Sequence, residues 1–145
     1  MDPYKSMNKN RQNEFSRSVE LKESNLEKKI KVSATKEELE ELAIRLDVQR
    51  IDNLQVTYII TDMPSILGAY MLVATLESKV VKFVIEETEE AIEISDNFDV
   101  VLVTEDMARN NYEELREHDI EIINEERKVD IGEIATQYLS LCIYM

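Results

Sequence analysis

The chain contains very little glycine, proline, histidine and cysteine. Its 145 residues include two glycines, two prolines, one cysteine, one histidine and no tryptophan. Two isolated glycines exclude the glycine-rich phosphate loops of nucleotide-binding sites, and the single Cys142 excludes an intramolecular disulfide. One cysteine and one histidine supply too few ligands for the usual zinc sites. We therefore expect no enzyme activity, no cofactor and no metal site.

Long apolar runs are also missing. No stretch approaches the roughly 18 apolar residues of a membrane-spanning helix, and no basic-then-apolar signal segment opens the chain. The sequence therefore predicts a cytoplasmic protein with no membrane partner. At 43% hydrophobic residues, a chain of this length can bury the core of one domain. We expect a flexible N-terminal tail over residues 1–12, which are polar and aperiodic, and a single domain over residues 13–145.

Positive charge is scarce in the C-terminal part of the chain. The net charge is −14, and residues 86–145 hold 18 acidic and 4 basic side chains. Residues 1–36 hold 9 basic and 5 acidic ones. Phosphate neutralisation supplies most non-specific affinity for nucleic acid, so only the N-terminal part could attract RNA. The asymmetry allows two interpretations: two partners of opposite sign, or an acidic region that keeps the protein soluble.

Two helices are predicted, over about residues 35–46 and 131–144. Thr35 with Glu38, and Asp130 with Glu133, have the spacing of capping boxes, in which the cap and the third helical residue bond each other's backbone N–H groups. Each start is followed by an apolar stripe at helical spacing. The stripes are Leu39, Leu42, Ala43 and Leu46 in the first helix, and Ile131, Ile134, Ala135, Tyr138 and Cys142 in the second.

Alternating apolar and polar residues predict about five to six strands. The segments with this pattern are residues 28–34, 54–61, 69–76, 79–85, 91–103 and, more weakly, 14–21 and 120–123. One apolar face of such a sheet needs cover, and the two amphipathic helices are the segments able to supply it. The predicted fold is therefore α+β, a curved antiparallel sheet covered by two helices.

Three further features allow a chemical and a structural interpretation. His118, between Glu117 and Asp119, is either a general base or an exposed loop residue. The acidic runs at residues 86–90 and 94–99 either bind a cation such as Mg²⁺ or form a solvated hairpin. Cys142 lies on the apolar helix face without an activating neighbour. In each case the structural interpretation is favoured.

Basic side chains in the N-terminal third are the candidate binding residues. They could follow a phosphate backbone, although an ordinary charged strand face explains the same pattern. The candidates for binding RNA or another partner are Arg17, Lys28, Lys29, Lys31, Lys36 and Arg45.

Three separated segments resemble the YceD family, the bacterial large ribosomal RNA subunit accumulation proteins, in its proteobacterial form. They are "EFSRSVEL" (residues 14–21), "TKEELEELAIRLDVQRIDNLQVTYII" (35–60) and "VDIGEIATQYLSL" (129–141). The resemblance implies a non-enzymatic ribosome-biogenesis factor that supports processing or accumulation of 23S ribosomal RNA. Many members have cysteine at the central hairpin turn, where Ser78 or Lys79 stands in this alignment.

Two hypotheses about the partner stay open. In the first, the basic residues contact ribosomal RNA or a large-subunit precursor. In the second, the protein is an acidic adaptor that binds a basic ribosomal protein and does not contact RNA. The acidic residues 86–130 are the feature that supports the adaptor, because they hold most of the net charge.

Overall fold

A computed structural model describes residues 14–83 and 89–144. The predicted tail, residues 1–12, lies outside the described residues. The elements in chain order are β1 (Ser18–Glu20), a 3-10 turn (Glu23–Asn25), β2 (Ile30–Ser33), α1 (Lys36–Arg45), β3 (Arg50–Asp62), β4 (Tyr70–Lys82), β5 (Glu90–Val103), α2 (Glu105–Asn110), α3 (Tyr112–Leu115), β6 (Ile120–Ile122), β7 (Lys128–Asp130) and α4 (Ile131–Tyr144). The described part of the chain contains no helix long and apolar enough to cross a membrane.

Five strands form one sheet in the order β2-β3-β4-β5-β6. Neighbours from β2 to β5 are antiparallel, whereas β6 pairs with Val101–Val103 of β5 in parallel. The α+β class with a mainly antiparallel sheet is confirmed, and the parallel pairing of β6 at one edge makes the five-stranded sheet a mixed one. A parallel pair needs a crossover connection, and α2 and α3 supply it between β5 and β6.

Strands β1 and β7 form a separate two-stranded antiparallel sheet, in which Val19 lies opposite Val129. The sequence predicts a strand in the segment of β1 but does not predict its partner. That partner immediately precedes α4, so the pairing brings the beginning of the domain to the start of its last helix.

The two predicted helices cover one face of the sheet and enclose the main core. Leu42 of α1 and Leu139 of α4 are completely buried, as are Ile60, Leu72 and Leu76 of the sheet. Each such side chain contributes about 1.5–3 kcal/mol when it leaves water. The boundaries Lys36–Arg45 and Ile131–Tyr144 confirm both helices, and the apolar stripe of α4 faces the core as expected.

Strand β4 is continuous where the sequence predicts two strands. The polar residues Glu77, Ser78 and Lys79 suggest a break, yet the strand runs from Tyr70 to Lys82. Ser78 faces the core and is 5% exposed, and its hydroxyl donates to the Asn53 carbonyl at 2.6 Å, beside a register shift in β3. This hydrogen bond satisfies the buried hydroxyl, so a polar residue can lie on the core side of a continuous strand. Ser78 and Lys79 therefore lie in the middle of β4 and not at a hairpin turn.

Part of the opposite sheet face is also covered. Ala108 of α2 and Leu115 of α3 pack with Val101 and Val103 of β5 in a second apolar cluster. The sequence predicts at most one helical turn in this region, because the short helices present too few apolar residues for a clear stripe. The rest of this face, nearer to β2, is left open, and we call it the outer face.

Candidate functional site

Three segments that are distant in sequence, residues 14–21, 35–60 and 129–141, meet at the start of α4. The Asp130 side chain accepts hydrogen bonds from the Ser16 hydroxyl and the Arg17 backbone N–H, both at 2.8 Å. It also accepts the Glu133 backbone N–H at 3.2 Å, which is the predicted N-cap bond. The Ile131 N–H donates to the Arg17 carbonyl at 3.0 Å. Asp130 therefore caps α4 and fixes the N-terminal segment against it.

Arg17, a predicted binding residue, lies in an internal ion pair. Its guanidinium donates two hydrogen bonds of 2.7 Å to Glu38 and one of 2.9 Å to the Ser33 carbonyl. Glu38 also forms the predicted capping box with Thr35. The hydrogen bonds from Arg17 lower the pKa of Glu38 to about 2. Because Glu38 neutralises it, Arg17 offers little charge to an external polyanion.

Arg45, the other predicted arginine, is also paired within the protein. Its guanidinium donates to the two Glu133 oxygens at 2.6 and 2.7 Å and to Glu14 at 2.9 Å. Hydrogen bonding to Glu133 raises the pKa of Arg45. The Glu133 carboxylate thus binds the C-terminal end of α1, whereas the capping-box spacing predicts that it returns to the backbone of Asp130. Arg45 joins the two helices that cover the sheet.

Gly132 marks the closest approach of the N-terminal segment to α4. A Cβ atom at this position would lie 2.2 Å from the Phe15 carbonyl oxygen and 2.8 Å from its carbonyl carbon. Backbone atoms cannot rotate away from such a contact, and the Phe15 ring is completely buried. The glycine of "VDIGEIATQYLSL" is therefore explained by packing, as are the acidic residues on either side of it.

The four predicted lysines differ from the arginines. Lys28, Lys29, Lys31 and Lys36 are exposed, and within residues 14–83 and 89–144 none of them forms an ion pair. Lys31 lies in β2, at one edge of the sheet, and Lys28 and Lys29 immediately precede that strand. Lys36 is the first residue of α1, one short loop further on. We call these four residues the lysine strip.

A row of polar side chains crosses the outer face beside the lysine strip. Lys31 is in register with Thr57 of β3, Thr57 with Thr75 of β4, and Thr75 with Asn97 of β5. The Thr75 hydroxyl donates to the Asn97 side-chain oxygen at 2.8 Å. Hydroxyl and amide groups of this kind bind phosphate oxygens and sugars in nucleic-acid complexes. The row extends the surface that a polyanion could contact from the sheet edge.

Acidic side chains lie at the other edge of the sheet, near a cavity of about 220 Å³ between β5, β6 and α4. The Tyr138 ring stacks on Phe98 with 4.2 Å between centroids, and its hydroxyl donates to Asp119 at 2.6 Å. Burial, then repulsion from Glu133 and Asp130, raises the pKa of Glu121, which lines the same cavity. This site was not predicted from the sequence, although the alternation Asp119-Ile120-Glu121-Ile122 indicates a strand with acidic residues on one side.

His118 and the acidic runs at residues 86–90 and 94–99 are the remaining candidates for catalysis or cation binding. His118 is exposed in the turn before β6. Glu86 and Glu87 of the acidic run lie outside the described residues, and Glu89 accepts hydrogen bonds from Arg50 at 2.8 and 3.2 Å. Across the described ranges, no group of three or more His, Cys, Asp or Glu side chains could hold a metal ion.

Cys142 packs against the core, as predicted. Its Sγ lies 3.5 Å from an Asp96 carboxylate oxygen. Burial, followed by the hydrogen bond and the charge of Asp96, raises the pKa of the thiol. Since the thiolate is the reactive form of cysteine, the environment of Cys142 does not activate it.

Comparisons with protein-family models, curated proteins and solved structures found no match to this chain.

Proposed function

We propose that this protein is a cytoplasmic, non-enzymatic ribosome-biogenesis factor that supports processing or accumulation of 23S ribosomal RNA. In this proposal the lysine strip binds RNA of a large-subunit precursor. The single observation that carries it is the contrast among the six predicted basic residues: both arginines are neutralised internally, whereas all four lysines are exposed without an ion pair in the described part of the chain. The resemblance to the YceD family supplies the choice of RNA.

The expected strength of binding follows from the number of available cations. Each phosphate neutralised on single-stranded nucleic acid contributes about −0.7 to the slope of log affinity against log salt concentration. Above about 0.1 M salt, four lysines therefore predict a slope of about −2 to −3, where six basic residues would predict about −4. Four lysine–phosphate contacts alone give weak affinity for RNA, so strong binding requires that the polar row of the outer face adds contacts to sugars and phosphates.

The test is co-sedimentation with large-subunit precursor particles at rising salt, using charge reversal. Lys29→Glu with Lys31→Glu should reduce retention at least about tenfold and flatten the salt slope. The matched control is Arg116→Glu with Lys128→Glu, which reverses the same number of charges at exposed sites near Glu113 and Glu126. The control should be retained like the wild-type protein. Equal retention of the two double variants would contradict RNA binding by the lysine strip.

A second candidate function is the acidic adaptor. The observation that favours it is the placement of Asp99, Asp119 and Glu121 at the edge of the sheet opposite the lysine strip. Three strand spacings, about 14 Å, separate β2 from β5, and β6 lies one spacing further away. An adaptor would be retained on precursor particles after Lys29→Glu and Lys31→Glu, but not after Asp99→Asn and Asp119→Asn. The same sedimentation assay therefore separates the two functions.

A further inference from the structure

In the part of the chain that the structure describes, most of β5 forms an open edge of the sheet. The strand has 14 residues, but β6 pairs only with Val101–Val103. The Val101 N–H points away from β4, since it donates to the Asp119 carbonyl at 2.9 Å on the β6 side. Backbone groups of every second residue in a strand point to the same side. The other residues with outward-pointing N–H and C=O groups are therefore Ala91, Glu93, Ser95, Asn97 and Asp99.

These outward backbone groups are available to another strand. In the portions of the chain that the structure describes, the only hydrogen bond involving them is a local one of 2.9 Å, from the Asn97 N–H to its neighbour Asp96. Ser95, Asp96 and Asn97 are all exposed, although Asp96 points to the side of the sheet that α4 covers. An open edge of this length is a template for pairing with a further strand.

The charge on the edge limits which strand can pair with it. Asp96, Asp99 and Asp119 form no ion pair with any cation of the described residues. Asp96 lies on the helix-covered side of the sheet and Asp99 on the outer side, so carboxylates flank the edge on both faces. Leu141 of α4, 52% exposed, lines the cavity near the end of the open edge.

We infer that the open edge of β5 binds a lysine- or arginine-rich extended segment of another protein by β-strand addition. Backbone hydrogen bonds to the outward-pointing residues supply affinity, and alternate side chains supply specificity. Basic side chains of the segment pair with Asp96 on one side and Asp99 on the other. An apolar side chain near its end packs on Leu141. This surface lies across the sheet from the lysine strip and does not depend on RNA binding.

A second copy of the chain fits the edge less well. Antiparallel pairing of two β5 edges would bring Glu93, Asp96 and Asp99 of each copy together, and like charges across strands are destabilising. The β2 edge of another copy has the right charge but is short, because Arg17 already occupies the Ser33 carbonyl. Among residues 14–83 and 89–144, only Lys29 and Lys31 remain at the β2 edge with outward backbone groups. A longer basic segment matches the five open residues of β5.

Amide hydrogen exchange on the wild-type protein tests the inference directly. The probe is a nine-residue peptide with blocked ends that alternates lysine with valine or threonine. At saturation it should slow exchange of the Ser95 and Asp99 amides at least about tenfold, whereas the amides of Ile94 and Phe98, which face β4, should not change. The matched peptides carry glutamate for lysine, or proline at the centre, and neither should slow exchange.

Two substitutions at Ser95 distinguish the contribution of its backbone N–H to peptide binding from that of its side chain. Ser95→Pro removes an outward N–H, and proline is tolerated in edge strands on the side that faces solvent. It should raise the dissociation constant for the lysine peptide at least about tenfold, which is the effect expected from one or two lost hydrogen bonds. Ser95→Ala keeps the N–H and should change the dissociation constant for the lysine peptide less than about twofold.

A charge variant tests the choice of partner. Asp96→Asn with Asp99→Asn should weaken lysine-peptide binding and reduce its salt dependence, whereas Glu23→Gln with Glu41→Gln, which removes two charges from exposed residues elsewhere, should not. Unaltered exchange at saturating peptide, equal binding of the glutamate peptide, or wild-type affinity in folded Ser95→Pro would each overturn the inference. Edge protection that rises with protein concentration would assign the edge to a second copy. Protection by single-stranded RNA would assign it to nucleic acid.

Discussion

Gly132→Ala tests the close packing between α4 and the N-terminal segment. In an ordinary helix this change gains up to about 1 kcal/mol, because alanine has the higher helix propensity. Here the new Cβ would lie 2.2 Å from the Phe15 carbonyl oxygen, and a Cβ atom essentially never comes within 3.0 Å of a heavy atom outside its own residue and that residue's chain neighbours. The Phe15 backbone must therefore move by about 0.8 Å or more if the helix stays in place.

The size of the effect follows from what that movement breaks. A shift of about 0.8 Å would lengthen the 2.8 Å bond between the Arg17 N–H and Asp130 to roughly 3.6 Å. A hydrogen bond to a charged group contributes about 1.5–3 kcal/mol, and overpacking beside the buried Phe15 costs about 1–3 kcal/mol. After the gain of about 1 kcal/mol in helix propensity, the net loss should be about 1.5–5 kcal/mol. For a domain of this size the melting temperature would fall by roughly 6–20 °C.

Urea unfolding of wild type, Gly132→Ala, Phe15→Ala and the double variant measures this loss and its origin. Phe15→Ala alone should lose about 3–5 kcal/mol. The double variant should lose at least about 1 kcal/mol less than the sum, since both changes release the same segment. A Gly132→Ala protein as stable as wild type, or strictly additive losses, would refute the proposed role of Gly132.

Two further predictions concern the ion pairs. Arg45→Met should destabilise the protein by about 2–4 kcal/mol, because the part-buried Glu133 carboxylate would lose the guanidinium that donates to both of its oxygens. Chemical denaturation measures this loss, and a value under about 0.5 kcal/mol would contradict the prediction. Arg17 lowers the pKa of folded Glu38 to about 2 from 4.5 in the unfolded chain, so the ionised carboxylate stabilises the fold by about 1–2 kcal/mol above pH 4.5. This contribution is lost as the pH falls from 4.5 through about 2 and Glu38 becomes protonated in the folded protein. The difference in unfolding free energy between wild type and Glu38→Gln should therefore disappear over this pH interval. A difference that stays constant would show that the charge of Glu38 is not its cause.

Local signals in the sequence were sufficient to predict both long helices. Thr35 and Glu38 lie three positions apart, and the apolar stripe that follows needs no knowledge of distant residues. The same holds for the N-cap role of Asp130. The strand period also predicts which side of β5 faces the core, since Ile94 and Phe98 are buried and Ser95 and Asn97 are exposed.

Contacts between distant segments could not be predicted in this way. Arg17 and Arg45 look like free cations in sequence, because their partners Glu38 and Glu133 lie 21 and 88 positions away. The parallel pairing of β6 and the pairing of β1 with β7 depend on the same kind of long-range choice. Ser78 is the clearest example of a residue whose position depends on a distant contact. Its polar side chain indicates the end of a strand, but the hydrogen bond to the Asn53 carbonyl allows it to lie buried in the middle of β4.

The separation of charge across the sheet has a consequence for the salt titration. At physiological ionic strength the Debye length is about 8 Å, shorter than the roughly 14 Å between the lysine strip and the edge of β5. RNA at the lysine strip would then be largely screened from the acidic edge. At 0.01 M salt the Debye length reaches about 30 Å, and the whole net charge of −14 repels the polyanion. If the lysine strip binds RNA, affinity should therefore pass through a maximum near 0.1 M salt, whereas a uniformly basic binding surface would give a steady decline from the lowest salt upwards.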